Sequence, residues 1–134
     1  MRILKYLFSF LTLLGFASCH AQSSAGEGTI ADHVSPEAFA SGITGEDVII
    51  LDVRTPGEYQ SGHIEGAQLM NIADRDFADQ LATLDKSKPV FVYCRSGARS
   101  SNAMRQMVSL GFKEVHNLQG GILSWSAKGQ PVTK

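Results

Sequence analysis

From Ile30 onward the sequence predicts an α/β domain organised around a mostly parallel sheet, and three observations carry that reading. Short apolar runs alternate with capped or helical segments, the pattern that parallel strands joined by crossover helices produce. The run Val48-Ile49-Ile50-Leu51-Asp52-Val53 has a single polar residue, as a strand covered on both faces requires. Val90-Phe91-Val92-Tyr93 is a second such run, and it leads through a short polar loop into a helical pattern with apolar residues at Met104, Met107, Val108 and Leu110.

Taken in order, Ile30 to Val34 is the first strand. Ser35-Pro36-Glu37 supplies an N-cap, a proline at the first helical position and an acid in the first turn, so a helix opens there and runs to about Ala40, with Ser41-Gly42 ending it. The strand within 48–53 is central by its composition. Thr55-Pro56-Gly57-Glu58 then fits a capping box, which predicts a helix of one or two turns stopping at Gly62. Gln68 to Ile72 is the third strand. Asp74 caps the next helix, where Phe77, Leu81 and Leu84 recur at helical spacing as one buried stripe. Asp85 to Pro89 is a polar turn into the strand at 90–93. The following helix covers about Arg99 to Leu110 with Gly111 as its cap, and Val115 to Leu118 is the last strand. Gln119-Gly120-Gly121 turns into a short helix carrying Ile122, Leu123 and Trp125. The paired glycines let one backbone segment pass close to another, and Trp125 pins the last helix to the sheet.

Cys94 stands where the fourth strand meets the loop. A loop entering a helix N-terminus aims free N–H groups and the positive end of the helix dipole at whatever occupies its mouth. Arg95 and Arg99 add two positive charges, so a thiolate is favoured over a thiol and Cys94 is the candidate nucleophile. An inert structural cysteine would sit in apolar surroundings instead. Asp52 and Arg54 leave their strand at the same sheet edge, where ligand sites of parallel sheets gather. Their expected role is scaffolding, with acid and base satisfying each other or nearby amides. His63 is expected to fix a turn by hydrogen bonding, with action as a base for Cys94 the alternative. His20, His33 and His116 have no partner pattern, and no histidine has a metal-ligand spacing with Cys94, so no metal site is expected.

Cys94-Arg95-Ser96-Gly97-Ala98-Arg99 resembles, position by position, the active loop Cys-Arg-x-Gly-x-Arg of the rhodanese-like sulfurtransferases. Asp52-Val53-Arg54 with Glu58-Tyr59, Gly62-His63-Ile64 with Gly66-Ala67, and Asn117-Leu118-x-Gly120-Gly121-Ile122-x-x-Trp125 resemble the family's other motifs in the same order. The likeness covers about residues 30–131. It departs at the third strand, where Ala73 follows Asn71-Ile72 in place of the family's proline. The resemblance implies the rhodanese-like fold, a mostly parallel five-stranded sheet with helices on both faces. It also implies transfer of a sulfane sulfur from a small anionic donor such as thiosulfate, or from a persulfide, to a thiol or cyanide acceptor through a Cys94 persulfide, with no cofactor. On this reading the amides of Arg95, Ser96, Gly97, Ala98 and Arg99 hold the charge of the terminal sulfur, while Arg95 and Arg99 attract the donor. Phosphatases and arsenate reductases of the same fold carry one more residue between cysteine and arginine, so the shorter loop disfavours both. A rhodanese-like binding or persulfide-carrier module for a partner protein is the alternative, and retention of the cysteine favours catalysis over it.

At the beginning of the chain, Arg2 and Lys5 precede an apolar run from Tyr6 to Phe16 and the small residues Ala17 and Ser18. That is the layout of a secretory signal peptide over residues 1–18, too short for a comfortable membrane span. Its ending resembles the lipobox of bacterial lipoproteins, with Phe16 where an aliphatic residue is usual, and implies cleavage before Cys19 and lipid attachment to it. A plain cleaved signal is the alternative. Residues 19–29, rich in Ser, Ala and Gly, read as a flexible tether, which leaves 30–134 as the domain. The expected location is the cell envelope, facing the periplasm from a membrane held through the N-terminal lipid. There a lipidated Cys19 cannot pair, and Cys94 is a single thiol in an oxidising compartment, which calls for a functional reason. Charge is balanced at 12 basic and 13 acidic residues, so nothing in it favours a nucleic-acid partner.

Overall fold

The computed structural model describes residues 28–134. The signal segment, Cys19 and residues 20–27 of the tether lie outside the described residues. Ten elements follow one another: β1 (Ile30–Val34), α1 (Pro36–Gly42), β2 (Ile49–Asp52), α2 (Pro56–Ser61), β3 (Gln68–Leu69), α3 (Phe77–Ala82), β4 (Val90–Tyr93), α4 (Ala98–Ser109), β5 (Glu114–Leu118) and α5 (Gly121–Ala127). The strands form one sheet in the order β1-β5-β4-β2-β3, with every pairing parallel. This is the α/β architecture the alternating runs predict.

Alternation along β4 divides the core into two layers. Val90, Val92 and Cys94 face one side, where Phe77 and Leu81 of α3 and Ala103 and Met107 of α4 cover them. Phe91 and Tyr93 face the other, against Phe39 of α1 and Ile122 and Trp125 of α5. Because side chains of a strand point alternately to opposite faces, a strand that is apolar at every position must be covered by helices twice. All four β4 residues are buried. Phe39 is the hub of the second layer: its ring meets Phe91 edge-on at 5.3 Å and Trp125 at 5.8 Å.

Local chemistry explains most boundaries. Thr55 and Glu58 form the expected capping box, the Thr55 hydroxyl accepting from the Glu58 amide and the Glu58 carboxylate accepting from the Thr55 amide. Helix α4 closes with Gly111 at φ +93°, its N–H donating to the Val108 carbonyl while the Phe112 N–H reaches back to Met107. Two orphan carbonyls are thereby satisfied, and Phe112 and Met107 are both buried beneath the turn.

Three boundaries depart from the sequence reading. Helix α1 runs to Gly42, with Ile43 as its C-cap, and Gly42 serves there to make room for a core side chain, the Phe91 ring lying 2.3 Å from where a Cβ would stand. Strand β3 stops at Leu69 instead of Ile72. The Met70 and Ile72 amides still donate to the Asp52 and Val53 carbonyls, but the Asn71 side chain accepts from the Ala73 amide and turns the chain out of the sheet. Asp74 does not cap α3. The position before that helix is Asp76, and Asp74 instead supplies its carbonyl to the Phe77 amide and its carboxylate to Gln80.

At the outer edge, β1 is largely exposed and pairs only with β5. His33 and His116, which the sequence left without partners, tie these two strands together: His116 lies between Asp32 and Glu114, and the His33 ring meets the Asn117 amide. The two layers imply a sharp contrast in stability. Phe39→Ala is expected to cost about 3–5 kcal/mol in urea unfolding, whereas Ile30→Ala on the exposed edge stays within about 0.5 kcal/mol.

Candidate active site

Cys94 is the first residue beyond β4, and its side chain is 1% exposed. Three loop residues later Gly97 adopts φ +103°, a left-handed conformation that turns the chain directly into α4. That turn aims the Gly97 N–H at the cysteine sulfur, at 3.1 Å from Sγ. Ser100, fully buried in the first turn of α4, donates its hydroxyl to the same sulfur at 3.3 Å. Burial alone would push the Cys94 thiol up, but the Ser100 hydroxyl and the amides of Ser100, Gly97 and Ser96 outweigh it, and the thiol titrates below the ordinary cysteine value. These donors favour the thiolate, which is the nucleophilic form.

The loop is held from behind by α5. The Ile122 N–H donates to the Cys94 carbonyl at 2.9 Å and the Leu123 N–H to the Arg95 carbonyl at 3.2 Å. This contact needs glycine at 121, where a Cβ would stand 2.4 Å from the Arg95 carbonyl carbon and oxygen. Asn117, buried at the end of β5, donates its amide to the Gly97 carbonyl at 3.3 Å.

The charged residues take more specific places than the sequence assigned. Asp52 and Arg54 are buried and satisfy each other: one carboxylate oxygen accepts the Arg54 amide at 3.0 Å and Nε at 2.9 Å, and the other accepts Nη2 at 2.7 Å. The same Nη2 donates to the Gly62 carbonyl, so the pair braces the turn after α2 against the end of β2. Arg99 presents its fork to Glu58 at 2.9 and 2.8 Å. With the guanidinium beside it, the Glu58 carboxyl is held down to about 2. Arg95, Ser96 and Ala98 are exposed on the rim of the loop. His63 is occupied by contacts other than the sulfur. Its ring stacks on Tyr59 at 3.7 Å, its Nδ1 lies 3.0 Å from the Tyr59 carbonyl, and its backbone forms a two-way bridge to Thr133.

Sequence reasoning passed over Ser100 and saw only half of Glu58. Ser100 carries a legible signal, since the third position of a helix whose mouth holds a thiolate is where a hydroxyl reaches inward. For Glu58 the local capping role was readable, but its partner lies forty-one residues away.

A buried cysteine sulfur that accepts from loop amides at the carboxyl edge of a parallel sheet, on a six-residue loop ending in arginine, defines a class. Residues 35–128 match the rhodanese-like domain family, and the chain belongs to it. More particularly, it is 37% identical over 87 residues to a sulfurtransferase of Allochromatium vinosum, covering 65% of this chain and 79% of that protein. It is 32% identical over 95 residues to the thiosulfate sulfurtransferase GlpE of Pseudoalteromonas translucida, covering 71% and 89% of the two chains. It spans only 29% of the length of the probable adenylyltransferase/sulfurtransferase MoeZ of Mycobacterium tuberculosis, with 33% identity over 114 residues and 78% of this chain covered. The crystal structure of a rhodanese-related protein from Thermoplasma volcanium matches with a TM-score of 0.68 and 28% identity, covering 76% of this chain and 97% of that one.

Removing the Ser100 hydroxyl leaves the loop amides in place but takes one donor from the sulfur. Ser100→Ala is therefore expected to move the midpoint of iodoacetamide labelling of Cys94 to higher pH than in the parent chain. An unmoved midpoint would mean that the hydroxyl fills space without stabilising charge.

Proposed function

We propose that this domain transfers a sulfane sulfur by double displacement through Cys94. The observation that carries the proposal is the set of N–H and O–H donors converging on a buried sulfur. The relatives named sulfurtransferase support it.

In the first half-reaction the Cys94 thiolate attacks the outer sulfur of thiosulfate or of a persulfide. The donor's S–S bond breaks, sulfite or a thiolate leaves with the electron pair, and Cys94 becomes a persulfide. The loop amides from Arg95 to Arg99 hold the negative charge of the terminal sulfur, and exposed Arg95 attracts the anionic donor. In the second half-reaction a thiol or cyanide attacks that terminal sulfur and Cys94 returns as thiolate. No base is assigned, since the donors aimed at Sγ favour the thiolate and His63 is engaged with Tyr59. Incubated with thiosulfate and desalted, the chain is expected to gain the mass of one sulfur atom, removable by cyanide, whereas Cys94→Ser gains none. A parent chain that never acquires the sulfur would sink the proposal.

We also propose export and lipid anchoring at Cys19, supported by the charged, apolar and small-residue succession before it. No helix among the described residues is long and apolar enough to cross a membrane. Expressed in a bacterium, the parent is expected in the membrane fraction and Cys19→Ser in the soluble fraction or unprocessed. Equal partitioning and processing of the two would count against the anchor.

A further inference from the structure

The line of polar groups behind the active loop does not stop at Asn117. Asn117 pairs with Val92 across β5 and β4 and with His33 across β5 and β1, so the three side chains share one face of the sheet, the face of Cys94. Asn117 Nδ2 donates to the Gly97 carbonyl at 3.3 Å and meets His33 Nδ1 at 2.9 Å. Gly97 in turn donates its N–H to the Cys94 sulfur at 3.1 Å. Resting on the sulfurtransferase reading above for what the sulfur does, we infer that His33, an exposed residue of the edge strand, is a positioning residue for the nucleophile: its neutral ring accepts from Asn117 through Nδ1 and keeps that amide on the Gly97 carbonyl.

Hydrogen-bond chemistry assigns each proton along this line. A carbonyl oxygen can only accept, so the Asn117 group facing Gly97 has to be the NH2. Reversing the amide would set two acceptors against each other. It would also bury the NH2 where Oδ1 now stands, without a hydrogen-bond partner among the described residues. With Nδ2 the donor, His33 Nδ1 has to offer its lone pair, and the single hydrogen of the neutral ring belongs on Nε2. A ring with hydrogen on Nδ1 would face N–H with N–H and drive the Asn117 amide out of line.

The hold matters because of what Gly97 does. Its φ of +103° is the turn that brings its own N–H onto the sulfur. One lone pair of its carbonyl takes the Ser101 N–H at 3.1 Å, a bond that opens α4, and the other takes Asn117. Helix and sheet thus grip the same carbonyl from two sides, and a rotation of Gly97 away from Sγ strains both bonds. Asn117 is 1% exposed, so losing the His33 acceptor leaves a buried N–H unpaired, and the amide turns to relieve it at the expense of Gly97.

The test compares His33→Leu with His33→Asn in the full chain. Asparagine carries Oδ1 as many bonds from Cβ as histidine carries Nδ1, so it restores the acceptor, and leucine does not. In His33→Leu the midpoint of iodoacetamide labelling of Cys94 should move to higher pH, the thiolate fraction below the midpoint falling about threefold, and in His33→Asn it should return to the parent value. The Gly97 amide resonance should follow the same pattern. A role confined to strand stability predicts the opposite order, since leucine suits a β-strand better than asparagine. Asp32→Asn is the control for strand docking: it weakens the Asp32–His116 contact on the other face of the same strand pair and should leave midpoint and resonance unmoved. Should His33→Leu fail to fold by circular dichroism, His33→Gln, whose acceptor lies one bond further out, takes its place. An unshifted midpoint in the variant lacking the acceptor, a shift that His33→Asn does not reverse, or an equal shift in Asp32→Asn overturns the assignment. None of these readings needs sulfur transfer. The expected pattern in a chain that never gains sulfur from thiosulfate would uphold the positioning role and overturn the sulfurtransferase reading instead.

Discussion

The loop's shape depends on two backbone hydrogen bonds, from the Ile122 and Leu123 amides to the Cys94 and Arg95 carbonyls. Successive carbonyls tied outward to α5 leave the amides that follow in the loop to face inward, toward the sulfur. The approach is so close that position 121 has no room for a side chain. The left-handed turn at Gly97 completes the geometry, and Asn117 holds that residue's carbonyl from the sheet side. A buried sulfur surrounded by N–H groups follows from the packing of one short helix against one loop.

Electrostatics in the site are divided between scaffold and chemistry. The two arginines with the firmest partners do structural service. Arg54 is sealed with Asp52 at the end of β2, and Arg99 clasps Glu58, which at the same time caps α2. A buried pair of this kind contributes little beyond a neutral substitute, yet breaking it strands a charge, so it acts as a constraint on geometry. Stabilisation of the thiolate falls to dipoles: three amides and one hydroxyl. Fixed dipoles cost no rearrangement when charge arrives. Arg95 is left exposed on the rim of the loop, without an ion pair among the described residues.

The Glu58–Arg99 clasp also couples distant parts of the chain. Its carboxylate is bonded to the N-terminus of α2 and to the first turn of α4, so the helix after the central strand and the helix after the cysteine are tied to each other beside the loop. His63 extends this bracing to the C-terminal tail through Thr133. Residues that the motifs place near the cysteine in the chain's logic thus include several whose contribution is to hold walls.

Much of this was legible in the sequence. The apolar runs and their spacing determine an α/β domain, because a strand without polar positions has to be covered on both faces, and the capping box at Thr55 and Glu58 is a contact among four neighbouring residues. The Cys94 loop is placed by the same local logic, a cysteine where strand, loop and helix meet. What depends on residues far apart in the chain was decided by tertiary structure alone. Val48 to Val53 fits a central strand, but the order β1-β5-β4-β2-β3 is settled by which helices cover which face. Gly42 reads only as a helix end until Phe91 is seen filling the space where its side chain would be, and Asn71 ends β3 because its side chain closes a turn that period-two patterning does not register. Arg99 reads as a charge for substrate until Glu58 is found across forty-one residues of chain. Local rules act through backbone dihedrals and neighbours a turn apart, whereas the partner of a long side chain is set by the packing of whole elements, which a linear pattern does not encode.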